Sequence, residues 1–371
     1  MKISSRIVTT TRTPTFFGNL ALASVDRLVS TTRPDGIYIL VDPNTRKHCL
    51  PLLLDKTATL INAQILEIEG GEASKSLENA EMIWKQLLIL QASRSSLLIN
   101  LGGGVVSDLG GFAAAGYKRG IRYLNIPTSL MGQADAAIGG KTAVNIGAIK
   151  NQVGFFHAPT AVIINPEFLK TLPLAHLRSG LAEIIKSILI SNPSLWRRIY
   201  KKPVNLLLNM PADSKFWQEL IKAAIIFKNK IVVKDYRELK TRKVLNFGHT
   251  LGHAIESWSM QGSEIPLLHG DAVAAGMICA TYLSYLKTGL PKEDMEEITA
   301  YLLEGYGHIQ VGTASKSIIM EFLKQDKKNA GGLIRFTLIS KPGYPVINVV
   351  CDHAEISEAL DNYSSLSRIT A

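Results

Sequence analysis

An apolar strand runs through three glycines into a helix in the stretch Leu97-Leu-Ile-Asn-Leu-Gly-Gly-Gly-Val-Val-Ser-Asp-Leu-Gly-Gly-Phe112. Glycines let a ligand approach the backbone, and the helix start offers N–H groups and a positive dipole end to the phosphates of a dinucleotide. A tight strand–helix turn without a ligand would use the same glycines, and the stretch matches neither Gly-x-Gly-x-x-Gly nor a Walker loop. It is therefore a candidate phosphate-binding loop.

Strands and helices alternate in the first half of the chain. Apolar strands are predicted over residues 36–42, 65–69 and 96–100, and a helix over 76–88 with Ser76 as its N-cap. This alternation predicts a parallel sheet with right-handed crossovers. Helical patterns dominate after residue 173, with late strands at 333–339 and 346–350. We therefore expect an α/β domain over residues 1–173 and a mainly α-helical domain over residues 174–371.

Composition narrows the class of protein. The chain has 371 residues, of which 46% are apolar, and this excludes a disordered protein. Its three cysteines exclude a disulfide framework and favour a reducing compartment. No apolar run reaches the roughly 18–20 residues of a membrane span. Residues 1–15 are polar, so we expect no secretory signal there.

The net charge of +10 admits two kinds of partner. A nucleic acid would need a basic stripe with interleaved aromatic residues, whereas an acidic small molecule would need a basic pocket on an ordinary surface. The basic residues are dispersed, with local clusters only within 240–243 and 324–328, and the aromatic residues form no repeated pattern. This distribution disfavours nucleic acid.

Polar residues punctuate a small, apolar stretch between residues 133 and 151. They are Asp135, Lys141, Lys150 and Asn151, and the pair Gly139-Gly140 directly precedes the first lysine. Glycines beside a lysine are typical of a turn that contacts phosphate, while a surface loop with solvated lysines is the alternative.

Residues of the metal-ligand type occur on helical patterns in the second half. His249 and His253 are four residues apart and share a helix face, and His269 precedes another helix. Two histidines and a carboxylate that leave one position open form a catalytic zinc site, although a single histidine is more often an ordinary core or surface group. Spacing alone indicates His249 and His253 as the ligand pair, with Glu256 or His269 as the third ligand.

Long motifs occur in order along nearly the whole chain, among them Asn246-Phe-Gly-His-Thr-Leu-Gly-His253. The others occupy residues 102–112, 126–130, 133–135, 139–141, 150–151, 168–173, 180–186 and 268–273. Together they resemble the 3-dehydroquinate synthases of the sugar-phosphate cyclase family. The resemblance implies a Rossmann-like parallel sheet that binds NAD and a mainly α-helical C-terminal domain that carries the metal site.

The resemblance also implies an activity. Enzymes of this family convert 3-deoxy-D-arabino-heptulosonate 7-phosphate to 3-dehydroquinate and phosphate, the second step of the shikimate pathway to chorismate and the aromatic amino acids. The course is oxidation by NAD, β-elimination of phosphate, re-reduction, ring opening and intramolecular aldol closure. The implied enzyme is a cytoplasmic homodimer with NAD and Zn²⁺ or Co²⁺, without a nucleic-acid or membrane partner.

Site residues follow from the matching positions. The resemblance implies Glu183, His249 and His269 as zinc ligands, which displaces the pair chosen by spacing. NAD contacts are implied at Glu72, Lys75, Gly103, Gly104, Val105, Asp108, Thr128, Ser129, Lys141, Lys150, Phe168, Leu169, Lys170 and Thr171. Substrate contacts are implied at Asp135, Lys141, Asn151, Lys186, Arg242, Asn246 and His253. Arg119 resembles a residue that reaches the substrate phosphate of a neighbouring subunit, and either Lys327 or Lys328 is expected to meet the phosphate.

The chain departs from the family pattern at a few positions. Ser107 stands where the glycine loop usually has glycine, Gly70 where aspartate is common, and Ser129 where a second threonine is common. We expect these changes to retune the affinity for NAD, and the chain between Trp258 and His269 is slightly long. Two related functions remain alternatives: a cyclase with another sugar phosphate, and a polyol dehydrogenase of the same fold, which would produce NADH.

Overall fold

The structure, a computed structural model, describes residues 6–8, 13–147, 149–211, 214–262, 266–325 and 333–366. Lys327 and Lys328, one of which is expected to meet the phosphate, lie outside these residues. The chain forms two compact units. Unit 1 comprises Met1–Leu177 with Pro211–Val233, and unit 2 comprises Arg178–Met210 with Lys234–Ala371. The single boundary expected after residue 173 therefore differs from the structure, in which the chain returns to unit 1 before it completes unit 2.

The strands are β1 Arg6–Val8, β2 Thr15–Phe17, β3 Ile37–Val41, β4 Gln64–Glu67, β5 Leu97–Gly102, β6 Arg122–Pro127, β7 Lys141–Ile146, β8 Ile149–Phe156, β9 Ala161–Ile164, β10 Ile334–Lys341 and β11 Tyr344–Cys351. The α-helices are α1 Ala23–Thr32, α2 Pro43–His48, α3 Leu50–Lys56, α4 Leu77–Ile89, α5 Gly104–Gly116, α6 Leu174–Leu189, α7 Pro193–Tyr200, α8 Val204–Leu208, α9 Lys215–Lys234, α10 His249–Gly262, α11 His269–Thr288, α12 Lys292–Tyr306, α13 Thr313–Gln325 and α14 His353–Ser365.

The main sheet of unit 1 has the strand order β1-β2-β9-β6-β5-β3-β4. Six neighbouring strands of this sheet are parallel to one another: β2, β9, β6, β5, β3 and β4. The edge strand β1 pairs with β2 in the antiparallel sense. The predicted parallel sheet is therefore confirmed, as is the N-cap Ser76, whose side chain accepts from the Asn79 N–H. The chain proceeds outward from β3 to β4 on one side and from β5 to β6 on the other. The strand order thus reverses between β3 and β5, which is where open α/β sheets bind ligands.

Both faces of this sheet are covered, because side chains alternate along each strand. In β3, Ile39 and Val41 belong to one buried cluster, whereas Tyr38 and Leu40 belong to a second cluster. The first includes α1 and α3 residues, and the second includes α4 and α5 residues. Each fully buried aliphatic side chain contributes about 1.5–3 kcal/mol. This double burial explains why the strands are continuous apolar runs.

Helix α9 belongs to unit 1 although it follows part of unit 2 in the chain. Lys228 places its Nζ 2.8 Å from both the carbonyl oxygen and the Oδ1 of Asp135. Near the start of the helix, the Lys222 Nζ lies 5.0 Å from the centroid of the Phe17 ring. Helical periodicity reveals such a helix but not the unit against which it packs, because these partners are distant in sequence.

The stretch between residues 133 and 151, expected to be a turn or a surface loop, contains a β-hairpin. Strands β7 and β8 pair in the antiparallel sense, with Lys141 opposite Phe156. Small and polar residues in β7 hide the alternation that would otherwise predict a strand. On this hairpin, five apolar side chains are each 41–46% exposed: Ile146, Ile149, Val153, Phe155 and Phe156.

Unit 2 is mainly helical, as predicted, with the late strands β10 and β11 paired as an antiparallel hairpin. Helix α11 is buried along most of its length. It lies so close to α10 that a Cβ on Gly276 would be 2.1 Å from the Gly248 carbonyl oxygen and 2.5 Å from the Gly252 nitrogen. This close packing brings His249, at the start of α10, near the start of α11. Among the described residues, none of the helices combines the length and the apolar character that a membrane-spanning segment requires.

The close approach of α10 and α11 predicts that Gly276→Ala destabilises the protein. The added methyl group meets backbone atoms that cannot rotate away, and overpacking of this kind costs about 1–3 kcal/mol. Urea denaturation measures the change, with Gly312→Ala as the control because nothing lies within 4 Å of a Cβ there. Equal stability of Gly276→Ala and the control would contradict the packing described for these helices.

Candidate active site

A buried ion pair lies at the centre of the unit 2 site. Glu183 and Lys186 are three residues apart on α6, and each side chain is only 1% exposed. The Lys186 Nζ lies 2.5 Å from the Glu183 Oε2. A carboxylate this deeply buried needs a partner of opposite charge, since an uncompensated charge in the interior is strongly destabilising.

Two histidines face the other oxygen of the same carboxylate. The Glu183 Oε1 lies 3.4 Å from the His249 Nε2 and 3.1 Å from the His269 Nε2. His253, one turn further along α10, joins them, so that ring nitrogens of the three histidines lie within 4.8 Å of one another. The structure therefore brings together all three residues implied as metal ligands and His253.

Close backbone contact between α6 and α11 produces this arrangement. The Gly270 N–H donates to the Ser179 Oγ at 2.9 Å. A Cβ on Gly270 would lie 2.1 Å from the Ser179 carbonyl oxygen, so only glycine allows the helices to approach this closely. His269 directly precedes this glycine, and Glu183 follows Ser179 by one helical turn. The contact between the two helices therefore places the His269 imidazole beside the Glu183 carboxylate.

The second ring nitrogens of His249 and His269 also have oxygen partners. The His249 Nδ1 lies 3.2 Å from the Phe247 carbonyl oxygen, and the His269 Nδ1 lies 3.1 Å from the Glu256 Oε2. When the ring is neutral, such outer contacts favour the tautomer that carries its proton on Nδ1, and the Nε2 lone pair is then available to a metal. The spacing argument considered Glu256 as a ligand, whereas the structure places its carboxylate on the outer nitrogen of His269.

Neighbouring charges determine the ionisation of Glu183 and His269. Burial would raise the pKa of Glu183, but Lys186 and the two facing histidines hold it well below its usual range. Burial would lower the pKa of His269, but the carboxylates of Glu256 and Glu183 raise it to about 10. A buried carboxylate that stays ionised beside three imidazoles is a donor set suited to a divalent cation such as zinc. The residues present therefore fit such an ion.

Arg242 and Asn246, both implied to contact substrate, lie in unit 2 and are held by nearby carboxylates. Asp235 accepts from the backbone N–H groups of Leu239, Lys240 and Arg242, and the Arg242 Nη1 donates to the Tyr236 carbonyl oxygen at 2.6 Å. Although burial opposes ionisation, these donors keep the pKa of Asp235 low.

The Asn246 Nδ2 donates to the Glu238 Oε1 at 2.8 Å. Asn246 and Glu238 line a cavity of about 180 Å³, and Lys243 and Arg335 also line it. Asn246 thus lies on the wall of a pocket with basic side chains, in a setting suited to an anionic ligand.

In unit 1, the glycine stretch forms the predicted strand–turn–helix. Strand β5 ends at Gly102, Gly103 is the N-cap, and no side chain of the described chain caps α5. A Cβ on Gly103 would lie 3.2 Å from the Ser129 Oγ, so the glycine leaves room that a side chain would fill. An uncapped helix start lined by glycine suits the pyrophosphate of NAD, and the residues present fit this cofactor.

Most of the other residues implied to contact NAD follow the carboxyl ends of strands of the parallel sheet, whereas Lys141 begins β7 and Lys150 lies in β8. Glu72 and Lys75 follow β4, Thr128 and Ser129 follow β6, and Phe168 to Thr171 follow β9. Phe168 and Leu169 have buried side chains, so contact with a ligand would come from their backbone. The carboxyl edge of a parallel sheet is the expected place for a dinucleotide.

A polar network joins residues implied for NAD to one implied for substrate. The Lys75 Nζ lies 2.5 Å from both the Asp108 Oδ2 and the Asn151 Oδ1. Burial raises the pKa of Asp108, and the ion pair with Lys75 opposes this rise. Glu72 accepts from the Asn145 Nδ2 at 2.9 Å and lies 3.6 Å from the Lys150 Nζ.

Arg119 lies in a strained turn of unit 1. Lys118, Arg119 and Gly120 have φ values of +48°, +66° and +112°. A left-handed conformation costs a non-glycine residue about 1–2 kcal/mol. The turn is held by the Lys118 Nζ, which donates to the Ala92 carbonyl oxygen at 2.6 Å. Strain maintained in this way is typical of a functional position.

Sequence comparison decides the family. A sequence model of the 3-dehydroquinate synthase N-terminal domain matches residues 65–179, and one of the C-terminal domain matches residues 180–329. The chain belongs to the 3-dehydroquinate synthase family. The resemblance found in the motifs is thereby confirmed. The 3-dehydroquinate synthase of Parabacteroides distasonis is 40% identical over 335 residues, which cover 90% of this chain and 93% of that one.

Solved structures show the same fold. A 2-deoxy-scyllo-inosose synthase in complex with carbaglucose-6-phosphate, NAD⁺ and Co²⁺ superposes with a TM-score of 0.83 at 25% identity, covering 94% of this chain and 96% of that chain. The 2-epi-5-epi-valiolone synthase ValA from Streptomyces hygroscopicus, with NAD⁺ and Zn²⁺ bound, also superposes with a TM-score of 0.83, at 23% identity. The match covers 96% of this chain and 98% of ValA.

The sequence motifs of this 3-dehydroquinate synthase family member did not identify Lys228 and Glu238, two polar residues that contact implied site residues. Lys228 is buried on the apolar face of α9, together with Ile221, Ala224 and Ile225. A lysine in that helical register is a usable signal, because an unpaired lysine is almost never fully buried. Glu238 offers no comparable signal, since its contact with Asn246 depends on a turn in which Glu238 has φ +57°.

The buried ion pair predicts that Glu183→Gln lowers the stability of the metal-free protein. Removing one partner of a buried pair costs about 3–5 kcal/mol, since the Lys186 ammonium group loses its carboxylate. Denaturation in the presence of a chelator measures the change without a contribution from bound metal. The double variant Glu183→Gln/Lys186→Met is the control and should recover much of the loss. Wild-type stability of the single variant would contradict the compensation described here.

Proposed function

We propose that this chain converts 3-deoxy-D-arabino-heptulosonate 7-phosphate to 3-dehydroquinate and phosphate, with NAD and a divalent cation, zinc or cobalt, as cofactors. This is a phosphate-eliminating lyase reaction of the shikimate pathway. The observation that carries the proposal is the convergence of the Glu183 Oε1 with the Nε2 atoms of His249 and His269 in a chain of this family. The relative at 40% identity bears this enzyme's name.

Glu183, His249 and His269 would hold the metal ion, with His253 beside it. When bound, zinc or cobalt lowers the pKa of coordinated hydroxyl groups, and NAD accepts a hydride. The glycine cradle at the start of α5 would hold the NAD pyrophosphate through backbone N–H groups. His253 and Lys186 would position the substrate and handle protons close to the ligands.

The substrate carries a carboxylate and a phosphate, about three negative charges in total. Arg242 is suited to bind one of them in a bidentate manner, because its guanidinium is already oriented by the Tyr236 carbonyl oxygen. Lys141, Asn151 and Asp135 would bind the remaining polar groups. Lys228, ion-paired with Asp135, would hold that carboxylate in place.

We also propose a homodimer in which Arg119 completes the site of the partner. Apolar side chains are exposed on β7 and β8, and we infer that those on one face of the hairpin form a patch of the kind that marks protein–protein contacts. The strained turn with Arg119 adjoins this patch, because His157, directly after β8, places its Nε2 3.3 Å from the Ile121 carbonyl oxygen. A second copy covering the patch would therefore receive Arg119 at its edge.

Three unpaired, buried cysteines support a reducing location such as the cytoplasm.

The proposed reaction predicts phosphate release from the heptulosonate phosphate with only catalytic amounts of NAD. NADH should not accumulate, because the oxidation is reversed within each turnover. A chelator should abolish release, and added Zn²⁺ or Co²⁺ should restore it. A phosphate assay and NADH absorbance, recorded together, measure both quantities. Stoichiometric NADH from a polyol would instead support a dehydrogenase, and release from a hexose 6-phosphate would support the other cyclase.

The shared site predicts complementation between two inactive variants. In a dimer of one Arg119→Ala subunit and one Glu183→Ala subunit, one site regains both residues and the other lacks both. Random mixing should therefore restore about a quarter of wild-type activity, as expected for a two-fold symmetric dimer. The activity of each variant alone is the control. Mixed subunits that exchange yet stay inactive would contradict the contribution of Arg119 to the partner.

A further inference from the structure

We propose that Glu256 is a positioning residue that orients His269 toward the metal ion. Its carboxylate accepts the Nδ1–H of His269, so that the Nε2 lone pair faces the ligand side of the site. This inference rests on the metal site of the proposed function. Neither the resemblance nor the related proteins described above assign a role to Glu256.

The His269 imidazole lies between two carboxylates. Its Nδ1 is 3.1 Å from the Glu256 Oε2, and its Nε2 is 3.1 Å from the Glu183 Oε1. The two carboxylates come from different helices, α10 and α6, and each contacts a different ring nitrogen. A neutral imidazole has one N–H and one lone pair, so the contact at one nitrogen determines what the other can offer.

The burial of Glu256 indicates that its position is specific. The side chain is 3% exposed, whereas that of His269 is 26% exposed. Placing a carboxylate at this depth carries a desolvation cost, so it is retained only where hydrogen bonds compensate it. The contact with His269 is such a bond, and it ties the start of α11 to the middle of α10.

His249 provides a comparison within the same site. Its Nδ1 contacts a backbone carbonyl, that of Phe247, rather than a carboxylate. Both kinds of acceptor fix the tautomer, but a carboxylate also raises the basicity of the imidazole and hence its strength as a ligand. Glu256 thus distinguishes the two histidines: His269 is oriented and strengthened by a charge, and His249 is oriented by the backbone.

A direct role of Glu256 as a metal ligand is the alternative suggested by spacing. The geometry disfavours it, because the Glu256 Oε2 faces the Nδ1 of His269 while the Nε2 of the same ring faces Glu183. A positioning residue and a ligand also differ in their effect on bound Co²⁺. Loss of a ligand changes the visible spectrum of the ion, whereas loss of an outer contact weakens binding and leaves the set of ligands unchanged.

The test is Co²⁺ affinity of the full-length protein without NAD or substrate, measured by competition with a chelating dye. Glu256→Ala should weaken binding about 10- to 100-fold, as is usual when an outer partner of a metal ligand is removed. Glu256→Gln keeps a carbonyl oxygen that can accept the Nδ1–H but loses the charge, so it should bind Co²⁺ more weakly than the wild type and more tightly than Glu256→Ala. Should Glu256→Ala fail to fold, Glu256→Asp withdraws the acceptor by one methylene and should weaken binding in the same direction.

Glu297→Ala is the matched control. It removes a carboxylate that accepts from a ring N–H in the same unit, that of the Trp196 Nε1 at 2.9 Å, far from these histidines in sequence. This variant should bind Co²⁺ as the wild type does. Circular dichroism confirms that each variant is folded.

The outcomes separate the inference from the proposed function. Weak binding by Glu256→Ala with an unchanged Co²⁺ spectrum, together with partial recovery in Glu256→Gln, supports the inference. Wild-type affinity of Glu256→Ala overturns it, as does an equal loss in Glu256→Gln or in Glu297→Ala. An altered spectrum would make Glu256 a ligand and also overturn it. If the wild type itself binds no Co²⁺, the metal site of the proposed function fails, and the inference fails with it.

Discussion

The burial of one carboxylate, Glu183, is the constraint on which the unit 2 site depends. With 1% of its side chain exposed, it requires the ammonium group of Lys186 at 2.5 Å, and its remaining oxygen faces His249 and His269. This meeting is possible only because α6, α10 and α11 approach each other at glycines. Gly270 admits the Ser179 carbonyl oxygen, and Gly276 admits that of Gly248. Backbone contacts at small residues therefore place the charged groups of the cluster.

The two units handle charge in different ways. Unit 1 offers the backbone of a glycine turn and an uncapped helix start, which attract anionic groups without a charged side chain. Unit 2 concentrates ionised carboxylates and imidazoles in its interior, where they suit a cation. A reaction that uses both a dinucleotide and a metal ion needs both kinds of environment. The division into two units keeps the positive helix start and the carboxylate cluster on separate scaffolds.

Some of the basic residues counted in the net charge of +10 are internal, where a carboxylate cancels their charge. Lys75, Lys186 and Lys228 are buried, and each forms an ion pair with a carboxylate: Asp108, Glu183 and Asp135, respectively. These lysines do not form a surface for nucleic acid. They orient polar groups that the family resemblance implies for cofactor, metal or substrate. Net charge alone could not reveal this, because it does not distinguish a buried, paired lysine from a solvated one.

Local patterns in the sequence were sufficient to predict the parallel sheet, the N-cap Ser76, the glycine turn before α5 and the long helices of unit 2. Each of these depends on neighbours within a few residues, where side-chain alternation and capping act. The hairpin of β7 and β8, the packing of α9 against unit 1, and the contact of Glu256 with His269 were not predictable in this way. The hairpin was not predicted because small and polar residues in β7 hide its alternation, whereas the other two contacts join residues of different elements, such as Lys228 and Asp135, which share an environment only after folding. Hydrophobic periodicity shows which face of a helix or strand is buried, whereas the tertiary structure determines which residues that face contacts.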